Sequence, residues 1–338
     1  MQRIAKAALF ACLALSPTVL CAEPVEDFYK GKQIRIITGA AAGDGYDLWS
    51  RMLSRHMGRH IPGRPSIIVQ NMPGAGTVVA ANHVFNAAAR DGTVIGSFSR
   101  SLPAQALLNR PNIKFDPRRF GWIGSPESVN RVCAVGKKTK VRSIDDLLKH
   151  ELVVGGIGAS QMPTYVPMML NKMLGTKFKV VEGYGSTNAI ILAIERGEVD
   201  GICMSSSTLL GPRVDLVEKG VLTILFNVEA KPMPAPPGVP TIFTRFNDEQ
   251  RQIVSLINSA IEFGRPFAAP PGVPAERLAA LQTALRATVA DPEFIAEAKK
   301  LKFIVTYTSP QDMADITARM YATPKSIIAS ASALMPAD

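Results

Sequence analysis

The chain has 338 residues, 47% of them hydrophobic and 20% charged, without low-complexity bias. That suits about two ordinary domains and excludes intrinsic disorder or a small disulfide-stapled scaffold. Its 38 Lys and Arg against 28 Asp and Glu give a formal charge of +10, which taken alone points to anionic partners, whether nucleic acid, a membrane surface or small acids.

The first 22 residues have the layout of a secretory signal peptide. Arg3 and Lys6 form a basic start, Ala7 to Leu15 an apolar stretch, and Ser16, Pro17 and Thr18 a break before the small residues Cys21 and Ala22. The stretch is well short of the roughly 18–20 residues that a membrane span needs. Lipid attachment at Cys21 is disfavoured, because Thr18-Val19-Leu20 lacks the usual leucine followed by small residues. Export removes Arg3 and Lys6 and no acid, leaving 36 basic against 28 acidic residues and a charge of +8. Two cysteines remain, Cys133 and Cys203. In an oxidising compartment they either pair, closing a long loop at a gain of ~4 kcal/mol in the chain-entropy model, or stand as unpaired buried thiols on neighbouring strands.

From Gln33 onward strand and helix signals alternate. Gln33 to Thr38 is a β-branched run ending in the small-residue loop Gly39 to Gly45, after which Leu48, Trp49, Met52, Leu53, His56 and Met57 recur at helical spacing. Ser66 to Gln70 is a second strand. The loop Asn71-Met72-Pro73-Gly74-Ala75-Gly76 leads into an alanine-rich helix, and Thr93 to Phe98 is a third strand. This βαβαβ order predicts parallel strands with right-handed crossovers. The pattern restarts after Phe120, with strands at Trp122-Ile123, Arg131 to Val135, Leu152 to Val154, Phe178 to Val181 and Val199 to Met204. Ser143 caps a short helix, a second helix carries Val166, Met169, Leu170 and Met173, and a third carries Ile190, Ile191 and Ile194 and stops at Gly197. Pro232 to Pro240 reads as a loop, and the C-terminal part as mostly helical.

A strand, a loop rich in Gly, Ala and Ser, and a helix N-terminus recur at Gly39–Asp47, Asn71–Thr77, Gly155–Gln161 and Gly183–Thr187. Helix N-termini expose unpaired N–H groups to anions, and small side chains let a ligand approach that backbone. In open α/β sheets such loops gather where ligands bind, at the carboxyl ends of the strands. Four of them in two similar halves predict a ligand cleft between two α/β units. A dinucleotide site is disfavoured, because Gly43-Asp44-Gly45 and Gly74-Ala75-Gly76 lack the third glycine and the later acidic residue. His56 and His60, four apart on one helix, have no adjacent Glu as in a zinc-protease motif and read as a solvated face. Ser205, Ser206 and Ser207 lack a nucleophile-elbow context. Asp44 and Asp47 either cap the helix or contact a polar ligand. Scattered basic residues without aromatic interleaving exclude a nucleic-acid platform.

These segments resemble the substrate-binding proteins of tripartite tricarboxylate transporters, also called Bug proteins. The residues that carry the resemblance are Ile34-Arg35-Ile36-Ile37 with Ala40 to Asp47 and Ser50-Arg51, then Asn71-Met72-Pro73-Gly74-Ala75-Gly76, then Asp91-Gly92-Thr93-Val94-Ile95-Gly96. In the second half they are Tyr184-Gly185-Ser186, Gly197-Glu198-Val199-Asp200, Gly238-Val239-Pro240-Thr241 and Phe267-Ala268-Ala269-Pro270. The resemblance implies a type II periplasmic-binding-protein fold, two Rossmann-like α/β domains around a hinged cleft. Domain one would be residues 23–126 with 244–338, and domain two residues 127–243. It implies a monomeric periplasmic receptor, not an enzyme, that closes on a small organic carboxylate and delivers it to membrane permease subunits, with no cofactor and no metal. The implied ligand-binding residues are Gly43, Asp44, Gly45, Tyr46, Asp47, Gly74, Ala75, Gly76 and Thr77, then Ser99 and Arg100, with Ser160, Gln161, Tyr184, Gly185, Ser186 and Thr187 from domain two. Arg100 is either a direct carboxylate partner or exposed outside the cleft. Tyr46 either stacks on an aromatic acid or packs against its own domain. The family's first loop is usually Pro- and Gly-rich with Thr or Ser before the Asp, whereas Ala40-Ala41-Ala42 and Tyr46 stand here. Two rival readings are a ligand sensor for a histidine-kinase ectodomain and a secreted enzyme on the same scaffold. The enzyme would have only Asp44 and Asp47 as an acid–base pair.

Overall fold

The computed structural model describes residues 23–158, 161–211, 213–230, 233 and 236–334. The expected signal peptide and Ser160 lie outside the described residues. After a short helix α1 (Val25–Tyr29), a first unit follows the predicted alternation: β1 (Gln33–Thr38), α2 (Gly45–His56), β2 (Ser66–Asn71), α3 (Val78–Asn86), β3 (Val94–Ser97), α4 (Leu102–Leu107) and β4 (Gly121–Gly124). The second unit contains β5 (Arg131–Gly136), α5 (Ile144–Lys149), β6 (Leu152–Gly155), α6 (Met162–Leu174), β7 (Phe178–Val181), α7 (Thr187–Arg196), β8 (Gly201–Ser205), α8 (Ser206–Leu210), α9 (Val214–Glu218) and β9 (Leu222–Asn227). The chain ends with α10 (Asp248–Glu262), β10 (Phe267–Ala269), α11 (Ala275–Val289), α12 (Pro292–Lys300), α13 (Pro310–Tyr321) and α14 (Lys325–Leu334).

Two five-stranded sheets result, ordered β2-β1-β3-β10-β4 and β7-β6-β8-β5-β9. As the βαβαβ order predicts, β1 runs parallel to β2 and β3. β10, which the sequence did not announce, lies antiparallel between β3 and β4. In the second sheet β6 is parallel to β7 and β8, while β5 is antiparallel to β8 and β9. These antiparallel insertions place the starts of β5 and β10 at the same sheet edges as the carboxyl ends of the parallel strands. Arg131 pairs with Ser205, and Phe267, two residues after Arg265, pairs with Ser97. Cys133 and Cys203 face each other in register and are joined as a disulfide.

The cores follow from the amphipathic faces. Trp49, Met52 and Leu53 of α2 pack with Ile34 and Ile36 of β1 and with Leu281, Leu285 and Phe294 of α11 and α12; a side chain of this size contributes about 1.5–3 kcal/mol when fully buried. A second cluster runs unbroken from Ile37, Val84 and Phe120 in the first unit to Leu152 and Phe226 in the second, through Val254 and Ile257 of α10. That helix starts on a capping box, Asn247 with Gln250.

The solvated-face reading of His56 and His60 is corrected. His56 Nε2 lies 2.6 Å from a Glu297 carboxylate oxygen, and His60 Nε2 lies 2.8 Å from one of Asp291. His56 at the end of α2 and His60 one turn on meet Glu297 of α12 and Asp291 at its N-cap, more than 200 positions away in sequence.

Two buried hydroxyls, Thr38 Oγ1 and Ser97 Oγ, have no hydrogen-bond partner among the described residues. A buried hydroxyl without a partner carries a desolvation cost that an isosteric methyl does not. Thr38→Val is therefore expected to raise the urea midpoint, by about 1 kcal/mol of stability. A fall would show that the hydroxyl is bonded in solution.

Candidate functional site

The first loop, Gly39 to Asp47, is built around one buried carboxylate. Asp47 Oδ2 accepts the Gly43 N–H at 2.8 Å and Arg51 Nε at 2.9 Å, while Oδ1 accepts Asn71 Nδ2 at 2.8 Å. Asn71 also donates to Ala40 O at 2.9 Å and accepts from Arg51 Nη2 at 3.0 Å. Burial pushes the Asp47 carboxyl up, but the hydrogen bonds from Arg51, Gly43 and Asn71 outweigh it and hold it below the usual carboxylate value. Asp47 is 1% exposed, and its carboxylate oxygens are taken up in holding the loop. Asp44 takes the capping role, its carboxylate accepting the Tyr46 N–H at 3.0 Å at the start of α2.

The second loop, Asn71 to Thr77, presses against the first. A Cβ on Gly39 would fall 2.4 Å from Thr77 Cβ, so only glycine lets the two loops approach. Thr77, held at φ +79°, in turn accepts the Ser99 N–H on Oγ1 at 2.9 Å. Three loops at the carboxyl ends of β1, β2 and β3 are thus locked together. The N–H groups of Gly45, Ala75 and Gly76 have no acceptor among the described residues. Gly39→Ala is expected to cost about 1–3 kcal/mol by overpacking, visible as a lower denaturation midpoint. An unchanged midpoint would show that the loops are not held in contact.

Two arginines meet Tyr46 of the first loop. The Arg100 N–H donates to the Tyr46 hydroxyl at 3.0 Å, and the Arg100 guanidinium, half-buried, has no partner among the described residues. Tyr46 packs against its own unit, with the Arg265 guanidinium 4.6 Å above its ring. Arg265 Nε donates to the buried Glu127 at 2.6 Å, and Arg265 N donates to Ser125 Oγ at 2.7 Å. A Cβ on Gly45 would meet Arg265 Nη2 at 2.9 Å, so this guanidinium sits directly against the first loop. Sequence reasoning missed Arg265, although it immediately precedes the Phe267–Pro270 motif.

In the second unit the expected loops also meet. Gly156 donates to Val181 O at 2.8 Å, Tyr184 N donates to Gly156 O at 3.2 Å, and Thr164 Oγ1 accepts the Ile157 N–H at 3.1 Å. Ser186 caps α7 through the Ala189 N–H, while Gly185, Ser186 and Gln161 are exposed and Thr187 is half-buried. Tyr184 is partly buried against the third apolar cluster. Among the described residues no hydrogen bond links these loops to those of the first unit.

A buried polar cluster closes the junction between the units. Arg131 Nε donates to the Tyr165 hydroxyl at 2.8 Å, Nη2 donates to Ile257 O at 3.1 Å, and Nη1 bonds Asn258 Oδ1 and lies 3.4 Å from Glu229 Oε1. Glu229 Oε2 accepts the Arg131 N–H at 2.8 Å. Burial pushes the Glu229 carboxyl up to about 7, against the pull of Arg131.

Two α/β units with backbone-rich loops at their strand ends define a two-domain solute-binding protein of the periplasmic type. The chain belongs to the tripartite tricarboxylate transporter family receptors, whose family model matches residues 51–332. The match begins after the first loop. Among solved structures the chain is similar to a TctC solute binding protein from Polaromonas, solved without ligand, at 18% identity over 89% of this chain and 99% of that one, with a TM-score of 0.70. It is similar to a protein of R. palustris bound to adipate, at 20% identity, 89% and 97% coverage and a TM-score of 0.56. MatC from Rhodopseudomonas palustris, with bound malate, matches at 18% identity, 88% and 99% coverage and a TM-score of 0.53. No curated protein sequence matches it.

Proposed function

We propose that this chain is an exported, monomeric receptor that captures a small organic carboxylate and hands it to the membrane subunits of a tripartite tricarboxylate-type transporter. The observation that carries the reading is the locked cluster of loops whose Gly45, Ala75 and Gly76 amides have no acceptor among the described residues, with the Arg265 guanidinium against the first loop. Backbone N–H groups at strand–helix junctions suit a carboxylate, and a nearby guanidinium adds a charge-assisted partner. Residues 23–126 with 244–338 form one domain and 127–243 the other. Closure brings Gln161 and Tyr184 to Thr187 onto the ligand, desolvates it and selects the state that the permease engages. The neighbours bound to malate and adipate support a carboxylate as ligand. Among the described residues no helix is long and apolar enough to cross a membrane.

The test is thermal-shift screening of residues 23–338 against mono-, di- and tricarboxylates, followed by calorimetry on the hits. A ligand at a hundred times its Kd adds about 2.7 kcal/mol, a shift of roughly 5 °C for a chain of this size. No stabilisation by any organic acid, together with turnover of some substrate, would sink the receptor reading.

A further inference from the structure

A cavity of about 640 Å³ lies beside the loop cluster and reaches into the junction between the two units. It begins at Ala75 of the second loop and Ser101 beyond β3, so it is continuous with the unsatisfied amides. Leu107 and Leu108, with Ile257 and Ala260 of α10, give its walls hydrocarbon, and Gln105 and Arg110 add polar groups. It ends on Arg131 and Tyr165 of the second unit. The volume falls in the range of ordinary small-molecule sites, which combine mainly apolar walls with a few placed polar groups.

The far end has a particular hydrogen-bonding character. The Tyr165 hydroxyl accepts from Arg131 Nε, and its own proton has no acceptor among the described residues. Arg131 is already engaged by Glu229, Asn258 and Ile257 O. A neutral acceptor is therefore suited to this end.

The geometry points to the ligand being an organic acid with an extended apolar body, its carboxylate at the loop amides and its body filling this cavity. The inference rests on the carboxylate-receptor reading above and narrows it to a substrate class. It sets this chain apart from a receptor for compact hydroxy-acids: the binding energy comes largely from hydrocarbon burial, at about 0.8 kcal/mol per methylene. A neutral oxygen at the distal end of the acid gains the Tyr165 hydrogen bond.

The experiment is calorimetry on residues 23–338 with propanoate, butanoate, hexanoate, octanoate, 7-oxooctanoate, malate and adipate. Affinity is expected to rise about three- to fourfold per added methylene up to octanoate. 7-Oxooctanoate should exceed octanoate. Ala104→Phe, which fills the cavity from α4, should weaken octanoate at least tenfold and leave butanoate within threefold. Ala260→Leu fills it from α10 and serves should the first variant fold poorly. Tyr165→Phe should erase the advantage of 7-oxooctanoate while leaving the chain-length series intact. Binding of malate or adipate with no gain from chain length, or equal loss of all acids in both filling variants, overturns the inference and leaves the receptor reading standing. Absence of binding by every acid overturns both.

Discussion

Replacing Arg131 with Met is expected to lower the folding free energy by about 3–5 kcal/mol, the usual cost of removing one partner from a buried ion pair. The side chains of Arg131 and Glu229 are only 4% and 5% exposed, so water cannot take over the lost contacts. The substitution removes the donors that reach Tyr165, Asn258, Ile257 O and the Glu229 carboxyl group. The melting temperature should fall by on the order of 10 °C. Glu229→Gln should cost less, because the acceptor for the Arg131 N–H remains. It should also change the pH profile in a defined direction. In the folded protein Glu229 keeps its proton up to about 7, whereas in the unfolded chain it loses it near 4.5. The folded state binds more protons in that window, so this contribution is fully present below about 4.5 and is lost as pH rises through about 7. Urea unfolding at pH 5 and pH 8 should show a smaller fall in stability for Glu229→Gln than for the wild type. Identical slopes would mean that Glu229 does not titrate in this range.

The features legible in the sequence are those with local causes. Gln33 to Thr38 is β-branched, Asp44 precedes an amphipathic helix, and Gly197 ends another at φ +83°. Such signals located β1, α2 and α7 and placed the small-residue loops at the strand ends. The missing features depend on partners far away in the chain. Phe267–Ala269 is three residues long, too short to show a period, and becomes a strand only because β3 and β4 offer it edges. Leu222–Asn227 is almost wholly buried and so shows no apolar alternation. Arg265 acquires its role from Glu127, 138 positions earlier, and from Tyr46. Arg131 reads as one polar residue before an apolar run, and only the antiparallel pairing of β5 with β8 takes it to the domain junction. His56 and His60 were misread for the same reason, since the acids that pair them belong to α12 and its N-cap. Arg131 thus arrives on an antiparallel strand and Arg265 just before another, which a reading based on βαβ alternation does not place.

Asp47→Ala is expected to abolish useful ligand binding, with a loss of about 100-fold or more in affinity, equivalent to ~2.7 kcal/mol. The buried Asp47 holds the first loop through Gly43 and joins it to the second through Asn71. Without it the amides of Gly45, Ala75 and Gly76 are no longer preorganised, and ordering them is charged against binding. Because its pKa is held below the ordinary value, the bracket should persist under acid conditions that protonate a free aspartate, and fail only as pH drops through the lowered value. A double-mutant cycle with Asn71→Ala separates positioning from direct contact. If Asp47 acts through the bracket, either single change releases the same loops, and the double variant should bind hardly worse than the weaker single one. Additive losses would mean that each residue makes its own contact with the ligand, and the positioning role of Asp47 would fall.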